Sequence, residues 1–220
     1  MTDSSHAAAP LVGLPEWLHP LAEMLDSVEA EHLAPRFPHP PVEARPAAVL
    51  MLFADGEQGR ELLLTERAAT LRSHARQISF PGGRQDATDR DPVHTALREA
   101  QEEVGLDPTE VVVFGSLPTL WLPPSNHAVT PVLGYWTDPR PLHAHSPDEV
   151  EKVLPTPLDL LLDPDRRFSV VHPSGWTGPA FDIGTDVPLW GFTAGIIARL
   201  FERLGWERPW DATRTRPIPE

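Results

Sequence analysis

The chain has 220 residues, enough for one sizeable hydrophobic core with extensions. Its 32 acidic residues outnumber 18 basic ones, and the net charge of −14 argues against binding nucleic acid or anionic membranes through bulk charge. Cysteine is absent, which excludes disulfides, thiol nucleophiles and cysteine-ligated zinc. Because the N-terminus lacks a secretory pattern and no stretch approaches the roughly 18 apolar residues of a membrane span, we expect a cytoplasmic protein.

The first third of the chain predicts an N-terminal extension followed by a strand pair. Residues 1–45 are expected to form a loose tail and one helix, over Trp17 to Leu33, outside the main sheet. Ala47 to Phe53 is an apolar run of strand length. Glu61 to Thr65 is its expected hairpin partner, because a Gly- and Asp-containing turn separates the two runs.

A helix with clear end signals is predicted between Asp91 and Gly105. Asp91 can cap its N-terminus, and Pro92 suits the first helical position because its missing N–H costs nothing there. Gly105 suits a left-handed C-terminal cap. The apolar residues share the face that a core would cover: Val93, Ala96, Leu97, Ala100 and Val104.

Three carboxylates occupy another face of this helix: Glu99, Glu102 and Glu103. Such a group is either a solvated acidic surface or a seat for Mg²⁺ or Mn²⁺, which take oxygen ligands from one or two carboxylates and from substrate phosphates. Gly82 and Gly83 precede the polar loop that leads into the helix, and glycines let the backbone approach a ligand closely. This context favours a phosphate-plus-metal site.

The remaining chain alternates short strands with a final helix. WLPPSN, from Trp121 to Asn126, is predicted to be a loop, and Pro131 indicates an edge strand or a bulge. The predicted strands are Val111–Phe114, Ala128–Tyr135, Val150–Leu154 and the hairpin pair Phe168–Val171 and Pro179–Ile183. A helical turn over Pro157–Leu162, an amphipathic helix over Trp190–Leu204 and a polar tail over 206–220 complete the predictions. Together they predict an α/β fold with a mixed sheet covered on both faces.

The stretch from Phe80 to Leu106 resembles the Nudix box, G-x5-E-x7-R-E-U-x-E-E-x-G-U with U an aliphatic residue. Its second half matches at Arg98, Glu99, Ala100, Glu102, Glu103, Gly105 and Leu106. Its first half departs from the pattern, because counting from Gly83 reaches Asp89 instead of a glutamate, and eight residues instead of seven separate Asp89 from Arg98.

This longer box is similar to the coenzyme A pyrophosphatase branch of that family. The upstream pattern of the branch resembles L-L-T-x-R-x-x-x-L-R-x-H-x-G-Q-x-x-F-P-G-G. The chain matches it at Leu63, Leu64, Thr65, Arg67, Leu71, Arg72, His74, Gln77, Phe80, Pro81, Gly82 and Gly83, with Arg76 where the branch usually has glycine. The resemblance implies an α/β/α sandwich over residues 46–205, flanked by an N-terminal tail and helix over 1–45 and a C-terminal tail over 206–220.

The resemblance also implies the site. Catalytic residues are expected to be Glu99, Glu102, Glu103 and Glu149, the first three also binding Mg²⁺ or Mn²⁺. Glu149 would act as base or complete the metal shell, with Glu151 in reserve, although either could be ordinary surface charge. Arg98 could orient a glutamate through a bidentate ion pair. Asp89 could assist through water or be a solvated loop residue.

The expected substrate-binding residues are Arg67, Arg72, Arg76, His74, Gly82 and Gly83. The alternative for the arginines is salt bridges with surface carboxylates. His127 could line the same mouth, and Trp121 could stack on adenine or belong to the core.

The implied reaction is hydrolysis of coenzyme A or acyl-CoA to 3′,5′-ADP and (acyl-)4′-phosphopantetheine. Alternatives are a related pyrophosphatase acting on ADP-ribose, NADH or a nucleoside triphosphate, and a non-hydrolytic nucleotide sensor. The expected partner is a small molecule, with neither nucleic acid nor membrane, and the chain is expected to be a monomer or homodimer.

Overall fold

A computed structural model describes residues 11–36, 39–71 and 74–219. The strands within this part of the chain are β1 (Arg45–Gly56), β2 (Gly59–Arg67), β3 (Ile78–Ser79), β4 (Gly82–Arg84), β5 (Val111–Ser116), β6 (Leu120–Leu122), β7 (His127–Trp136), β8 (Val150–Pro157), β9 (Arg167–Val171), β10 (Thr177–Phe181), β11 (Leu189–Trp190) and β12 (Thr215–Pro217). The α-helices in this part are α1 (His19–Met24), α2 (Ala30–Leu33), α3 (Pro92–Val104), α4 (Leu158–Leu161) and α5 (Gly191–Arg203). None of the described helices is long and apolar enough to cross a membrane.

The larger sheet is mixed. Its strands lie in the order β3-β2-β1-β7-β5, with β4 on β1, β6 on β7 and β8 on β2. The pair β1–β7 is parallel, whereas the other pairs in this sheet are antiparallel. Strand β1 is long, apolar and central, so it is covered from both sides, as a buried strand of a mixed sheet should be.

Helices cover both faces of this sheet. Because side chains alternate along a strand, Leu50 and Leu52 lie in the cluster that contains α3, while Met51 and Phe53 lie in the cluster that contains α5 and the N-terminal segment. This arrangement confirms the predicted α/β fold with a mixed sheet.

The N-terminal helix predicted over Trp17 to Leu33 is wrong as a single element. Val28 is extended, with φ −84° and ψ 128°, and separates α1 from α2. Glu29 and His32 then form a reciprocal capping box that starts α2. Leu18 and Leu21 are fully buried, so tertiary burial satisfies the apolar spacing without a continuous helix.

Two predictions around β7 are also wrong. Trp121 and Leu122 belong to β6 instead of a loop. Pro131 lies in an interior strand, between β1 on one side and β5 and β6 on the other. Its carbonyl accepts from the Leu117 N–H at 2.8 Å, which shows that its own nitrogen faces the gap between β5 and β6, where no ladder hydrogen bond is lost.

A second sheet joins the C-terminal segment to the body of the protein. Its strands lie in the order β11-β10-β9-β12, and β12 pairs with β9 in parallel. Ile218 packs against Phe168, Val170 and Ala180. The prediction of a polar tail over 206–220 therefore misses a strand, which is too short and too polar to show a strand pattern.

Candidate functional site

Helix α3 presents the acidic residues, and its end signals are confirmed. The Asp91 carboxylate accepts a hydrogen bond from the backbone N–H of His94 at 2.8 Å. Gly105 adopts φ +72°, the left-handed conformation that ends a helix. Since α3 lies against β1 and β4, one of its faces meets the Gly82–Gly83 backbone.

Glu103 is the most buried acidic side chain of this face, at 3% exposure. Its Oε2 accepts the backbone N–H of Gly82 at 3.0 Å. Burial raises the pKa of Glu103 to about 8, and the negative charges of Glu99 and Glu149 add to the effect. The Gly82 N–H and the positive charge of Arg67 lower that pKa and stabilise the ionised form. Glu103 is thus a buried carboxyl that a nearby cation would ionise.

Glu99 lies beside Glu103, and the glycine pair makes room for it. A Cβ atom on Gly83 would lie 2.5 Å from the Glu99 carboxyl carbon. Burial raises the pKa of Glu99, and Arg98 partly opposes that rise. Glycine is required at 82 as well, because φ is +151° there and a Cβ atom would lie 2.6 Å from the Val49 Cα.

Arg98 is held by Asp89, which corrects two expectations. Asp89 is neither solvated nor loosely placed, because its carboxylate is buried and accepts from Arg98 Nε at 3.0 Å and from Arg98 Nη2 at 2.9 Å. The bidentate partner of Arg98 is therefore Asp89, whereas Glu99 and Glu102 each accept one bond at 3.0 Å. The Arg98 guanidinium holds the pKa of Asp89 well below its usual range. This buried pair fixes the guanidinium that orients both glutamates.

Glu102 and Glu149 are exposed, but they are placed differently. Glu102 lies at the solvent side of Arg98. The loop that carries Glu149 is bonded to the end of α3, since Ser146 Oγ donates to the Glu102 carbonyl and the His145 N–H donates to the Glu103 carbonyl, both at 2.9 Å. The charge of Glu149 consequently raises the pKa of both Glu99 and Glu103.

The structure therefore brings Glu99, Glu103 and Glu149 to one place. Glu102 is linked to Glu99 by Arg98, which donates a hydrogen bond to each of them. Glu151 is exposed on β8 and remains only the reserve candidate. The catalytic and metal-binding roles of these residues stay predictions.

The predicted substrate-binding side chains separate into two groups. Arg67 lies near Glu103, and among the described residues its buried Nε has no hydrogen-bond partner. Arg76 is instead engaged in ion pairs, at 3.1 Å with Asp186 and 3.7 Å with the buried Glu66, which matches the alternative considered for it. Arg72 lies outside the described residues.

His74 and Trp121 have defined partners. His74, at φ +57°, has its Nδ1 2.8 Å from the Gln77 Oε1. The Trp121 indole donates to Asn126 Oδ1 at 3.1 Å, which ties the ring to the turn before β7.

Arg45 and Arg84 were not predicted to belong to the site, and His127 was predicted only to line its mouth. The pKa of His127 is lowered by burial and then by the positive charges of Arg45, Arg84 and His74, so these four side chains are neighbours. The pairing of β1 with β4 and β7 brings Arg45, Arg84 and His127 together, and no local pattern encodes that pairing.

The donor atoms fit a magnesium-type ion. Two adjacent carboxyls with raised pKa values are costly to ionise without a cation, and Mg²⁺ or Mn²⁺ prefers such oxygen ligands. Within the described ranges, no group of three or more acidic or histidine side chains is placed to hold a metal ion by itself. A site of this kind would have to take its remaining ligands from water and substrate phosphates, as Mg²⁺ commonly does.

Comparison with known proteins identifies the family. The model of the NUDIX domain matches residues 44–171, which is more than half of the chain. The chain belongs to the Nudix family. The matched region contains α3, the glycine pair and Glu149, so the Nudix domain includes the whole acidic site.

Relatives of similar sequence are Nudix hydrolases, and this chain is one as well. "Uncharacterized Nudix hydrolase NudL" of Cronobacter sakazakii is 41% identical over 187 residues, covering 80% of this chain and 91% of the relative. "Nudix hydrolase 15, mitochondrial" of Arabidopsis thaliana is 37% identical over 175 residues, covering 74% of this chain but only 59% of the relative. The crystal structure of the Nudix hydrolase RenU from M. smegmatis shares the fold, with a TM-score of 0.52, 19% identity and coverage of 76% of this chain and 90% of that one.

Proposed function

We propose that this Nudix hydrolase cleaves the pyrophosphate of coenzyme A or acyl-CoA, releasing 3′,5′-ADP and (acyl-)4′-phosphopantetheine. The observation that carries the reaction type is the placement of Glu99 and Glu103 against the Gly82–Gly83 backbone with Arg67 beside them. The choice of substrate rests on the resemblance of Leu63–Gly83 to the coenzyme A pyrophosphatase branch.

The residues have separable tasks in this reaction. A pyrophosphate resists water because its negative oxygens repel the nucleophile, so catalysis requires positioning and charge neutralisation. Glu99, Glu102 and Glu103 would hold Mg²⁺ or Mn²⁺, which would neutralise phosphate charge and make water more acidic. Arg67 would donate from its unpaired Nε to a phosphate oxygen.

Proton transfer is assigned to Glu149. Glu149 is exposed, and its charge interacts with the carboxyls of Glu99 and Glu103. It would therefore lie close enough to the site to accept a proton from the attacking water. A bond then forms between the water oxygen and one phosphorus, while the bridging P–O bond breaks and its electrons stay on the leaving phosphate. The Gly82 N–H meanwhile keeps Glu103 in place.

Two other functions are the alternatives to exclude. One is the same chemistry on ADP-ribose, NADH or a nucleoside triphosphate, and the other is a sensor that binds a nucleotide without cleaving it. Buried Glu103 and half-buried Glu99 argue against the sensor, because a protein that only binds has no need to ionise two adjacent carboxyls whose pKa values are raised. The cytoplasm is the proposed location, and a monomer or homodimer the proposed state.

A substrate panel tests the proposal. We would compare kcat/KM for coenzyme A, acetyl-CoA, ADP-ribose, NADH and ATP with Mg²⁺, with Mn²⁺ and with a chelator. The proposal requires the highest kcat/KM for a CoA substrate and no turnover with chelator. Equal or higher kcat/KM for a substrate without the CoA moiety would overturn the assignment of coenzyme A as the substrate. Tight binding without turnover in the presence of either metal ion would support the sensor function.

A further inference from the structure

A basic surface lies at the beginning of β1 and β7, next to β4 and on the sheet face opposite α3, since Ala48 and Leu50 face α3 and alternate with Arg45 and Ala47. Arg45 is the direct partner of His127, and Arg84 is the direct partner of Ala47. Paired residues, and residues two apart on one strand, project from the same face of a sheet. The side chains of Arg45, Arg84 and His127 therefore share one face, and we call these three residues the basic cluster.

His127 is fixed in orientation but incompletely bonded. Its Nδ1 lies 2.8 Å from the Ser125 Oγ, whereas its buried Nε2 has no hydrogen-bond partner among the described residues. Buried polar atoms are nearly always paired in folded proteins, so an unpaired one needs a reason. When the Ser125 hydroxyl donates to Nδ1, the hydrogen of the neutral ring is on Nε2, where it can be donated to a ligand oxygen.

The two arginines are not neutralised by carboxylates. Within the described residues, neither Arg45 nor Arg84 has an ion pair, although this chain carries a net charge of −14. The Arg45 side chain donates to the Ser125 carbonyl, at 2.6 Å. By contrast, Arg76, Arg98 and Arg140 are each paired with an acidic side chain. Uncompensated positive charge around an unpaired ring nitrogen is the chemistry that an anion requires.

The distance to the acidic site indicates which anion. Arg84 is two residues after Gly82 on β4, and two residues of a strand span about 7 Å. Arg84 is therefore about 7 Å along the strand from the Gly82 N–H that donates to Glu103. In coenzyme A, one ribose separates the pyrophosphate from the 3′-phosphate. A pyrophosphate at the glycine pair would place that phosphate monoester near the basic cluster.

We propose that the basic cluster is a subsite for a phosphate monoester, the 3′-phosphate of coenzyme A, and that it sets the preference for substrates carrying this group. This inference rests on the proposed function and adds the residues that would read the substrate. Arg84 and Arg45 supply charge-assisted hydrogen bonds, and His127 supplies one donor from Nε2.

The test compares coenzyme A with 3′-dephospho-CoA, which differs only in the monoester. Arg84→Gln and His127→Gln should each lower kcat/KM for coenzyme A about tenfold, mainly through KM, because a charge-assisted hydrogen bond is lost. Their kcat/KM for 3′-dephospho-CoA should stay within about twofold of wild type. Arg203→Gln, at an exposed position on α5, is the control for the same change in net charge and should leave both substrates unaffected.

A binding measurement without turnover separates failure of the subsite from failure of the proposed function. Calorimetry should show that wild type binds 3′,5′-ADP more tightly than 5′-AMP and that Arg84→Gln abolishes the difference. If Arg84→Gln and His127→Gln lose kcat/KM equally for coenzyme A and 3′-dephospho-CoA, or if wild type shows no preference for 3′,5′-ADP, the subsite is overturned. The proposed hydrolysis of coenzyme A would be unaffected by either result. Preference for 3′,5′-ADP without any hydrolysis of coenzyme A would support the subsite and overturn the proposed reaction.

Discussion

At the scale of single residues, the pair Asp89–Arg98 supports the acidic site from behind. Replacing Asp89 with Asn would leave a largely buried guanidinium without its bidentate partner. We predict that Asp89→Asn lowers the free energy of unfolding by about 2 kcal/mol at neutral pH, because the guanidinium loses its bidentate carboxylate and keeps single bonds to Glu99 and Glu102. Urea unfolding measures the difference, and Asp138→Asn, at an exposed position, should change it by less than about 0.5 kcal/mol.

The same pair predicts a pH dependence. Because the folded-state pKa of Asp89 lies below its ordinary value, its contribution to stability is fully present above the unfolded pKa of about 3.9. The contribution is lost as the pH falls from there towards the folded pKa. The stability difference between wild type and Asp89→Asn should therefore be constant above about pH 5 and shrink below about pH 4. A difference that stays constant down to about pH 2 would contradict the assigned pKa direction.

Gly83 tests the position of Glu99. In Gly83→Ala the new methyl group would meet the Glu99 carboxyl group, so the carboxylate must move. We predict at least a tenfold loss of kcat with little change in the melting temperature, since displacing a catalytic group by about 1 Å can lower the rate about 100-fold. Gly178→Ala, where the clash is with the Trp176 ring in the second sheet, is the control and should keep full kcat. Unchanged kcat in Gly83→Ala would show that the Glu99 position is not critical.

Site residues were predicted correctly where short-range spacing along α3 places them. Glu99 and Glu103 fall on one helix face by spacing alone, and their proximity was expected from it. Asp89 was left open, because nothing in its neighbourhood predicts that Arg98 is its partner. Arg45 and Arg84 were missed, because they meet His127 only through strand register.

At the scale of elements, α3 is positioned by its C-terminal end. A Cβ atom on Gly105 would lie 2.6 Å from the Nε2 of His145, in the loop that carries Glu149. We predict that Gly105→Ala destabilises the protein by more than about 1 kcal/mol and also lowers kcat. Gly205→Ala is the matched control, since φ is +67° there with open space around the Cβ position, and it isolates the cost of the backbone conformation. Equal melting temperatures and equal kcat for the two variants would contradict a role for the His145 contact.

Element prediction was accurate for α3, whose end signals are local, and for α5, whose amphipathic pattern is continuous. It failed for the N-terminal helix, because short, separate helical segments satisfy the apolar spacing of Trp17–Leu33 as well, and they bury Leu18 and Leu21 in the core. It failed for Pro131 because an interior strand tolerates proline only where the neighbouring strands leave a gap, and that gap is a tertiary feature.

At the scale of the whole molecule, the second sheet attaches the C-terminal segment. Removing residues 211–220 would expose the edge of β9 and the apolar residues under Ile218. We predict a loss of about 2 kcal/mol in stability with kcat/KM within about twofold of wild type, because the deleted strand lies in the other sheet from the acidic site. Thermal unfolding and kinetics on the truncated protein measure both, and loss of activity at full stability would contradict this separation.

Product analysis is the most direct test of whether this protein hydrolyses the pyrophosphate of coenzyme A with the help of the α3 carboxylates. Wild type, Glu103→Gln and Glu151→Gln would be incubated with coenzyme A and Mg²⁺ or Mn²⁺, and the products separated by chromatography. We expect 3′,5′-ADP and 4′-phosphopantetheine from wild type and Glu151→Gln. From Glu103→Gln both products should appear at least 100-fold more slowly, on the order of the loss for a single preorganised catalytic group. Absence of 3′,5′-ADP from wild type with either metal, or an equal rate from Glu103→Gln, would contradict this expectation.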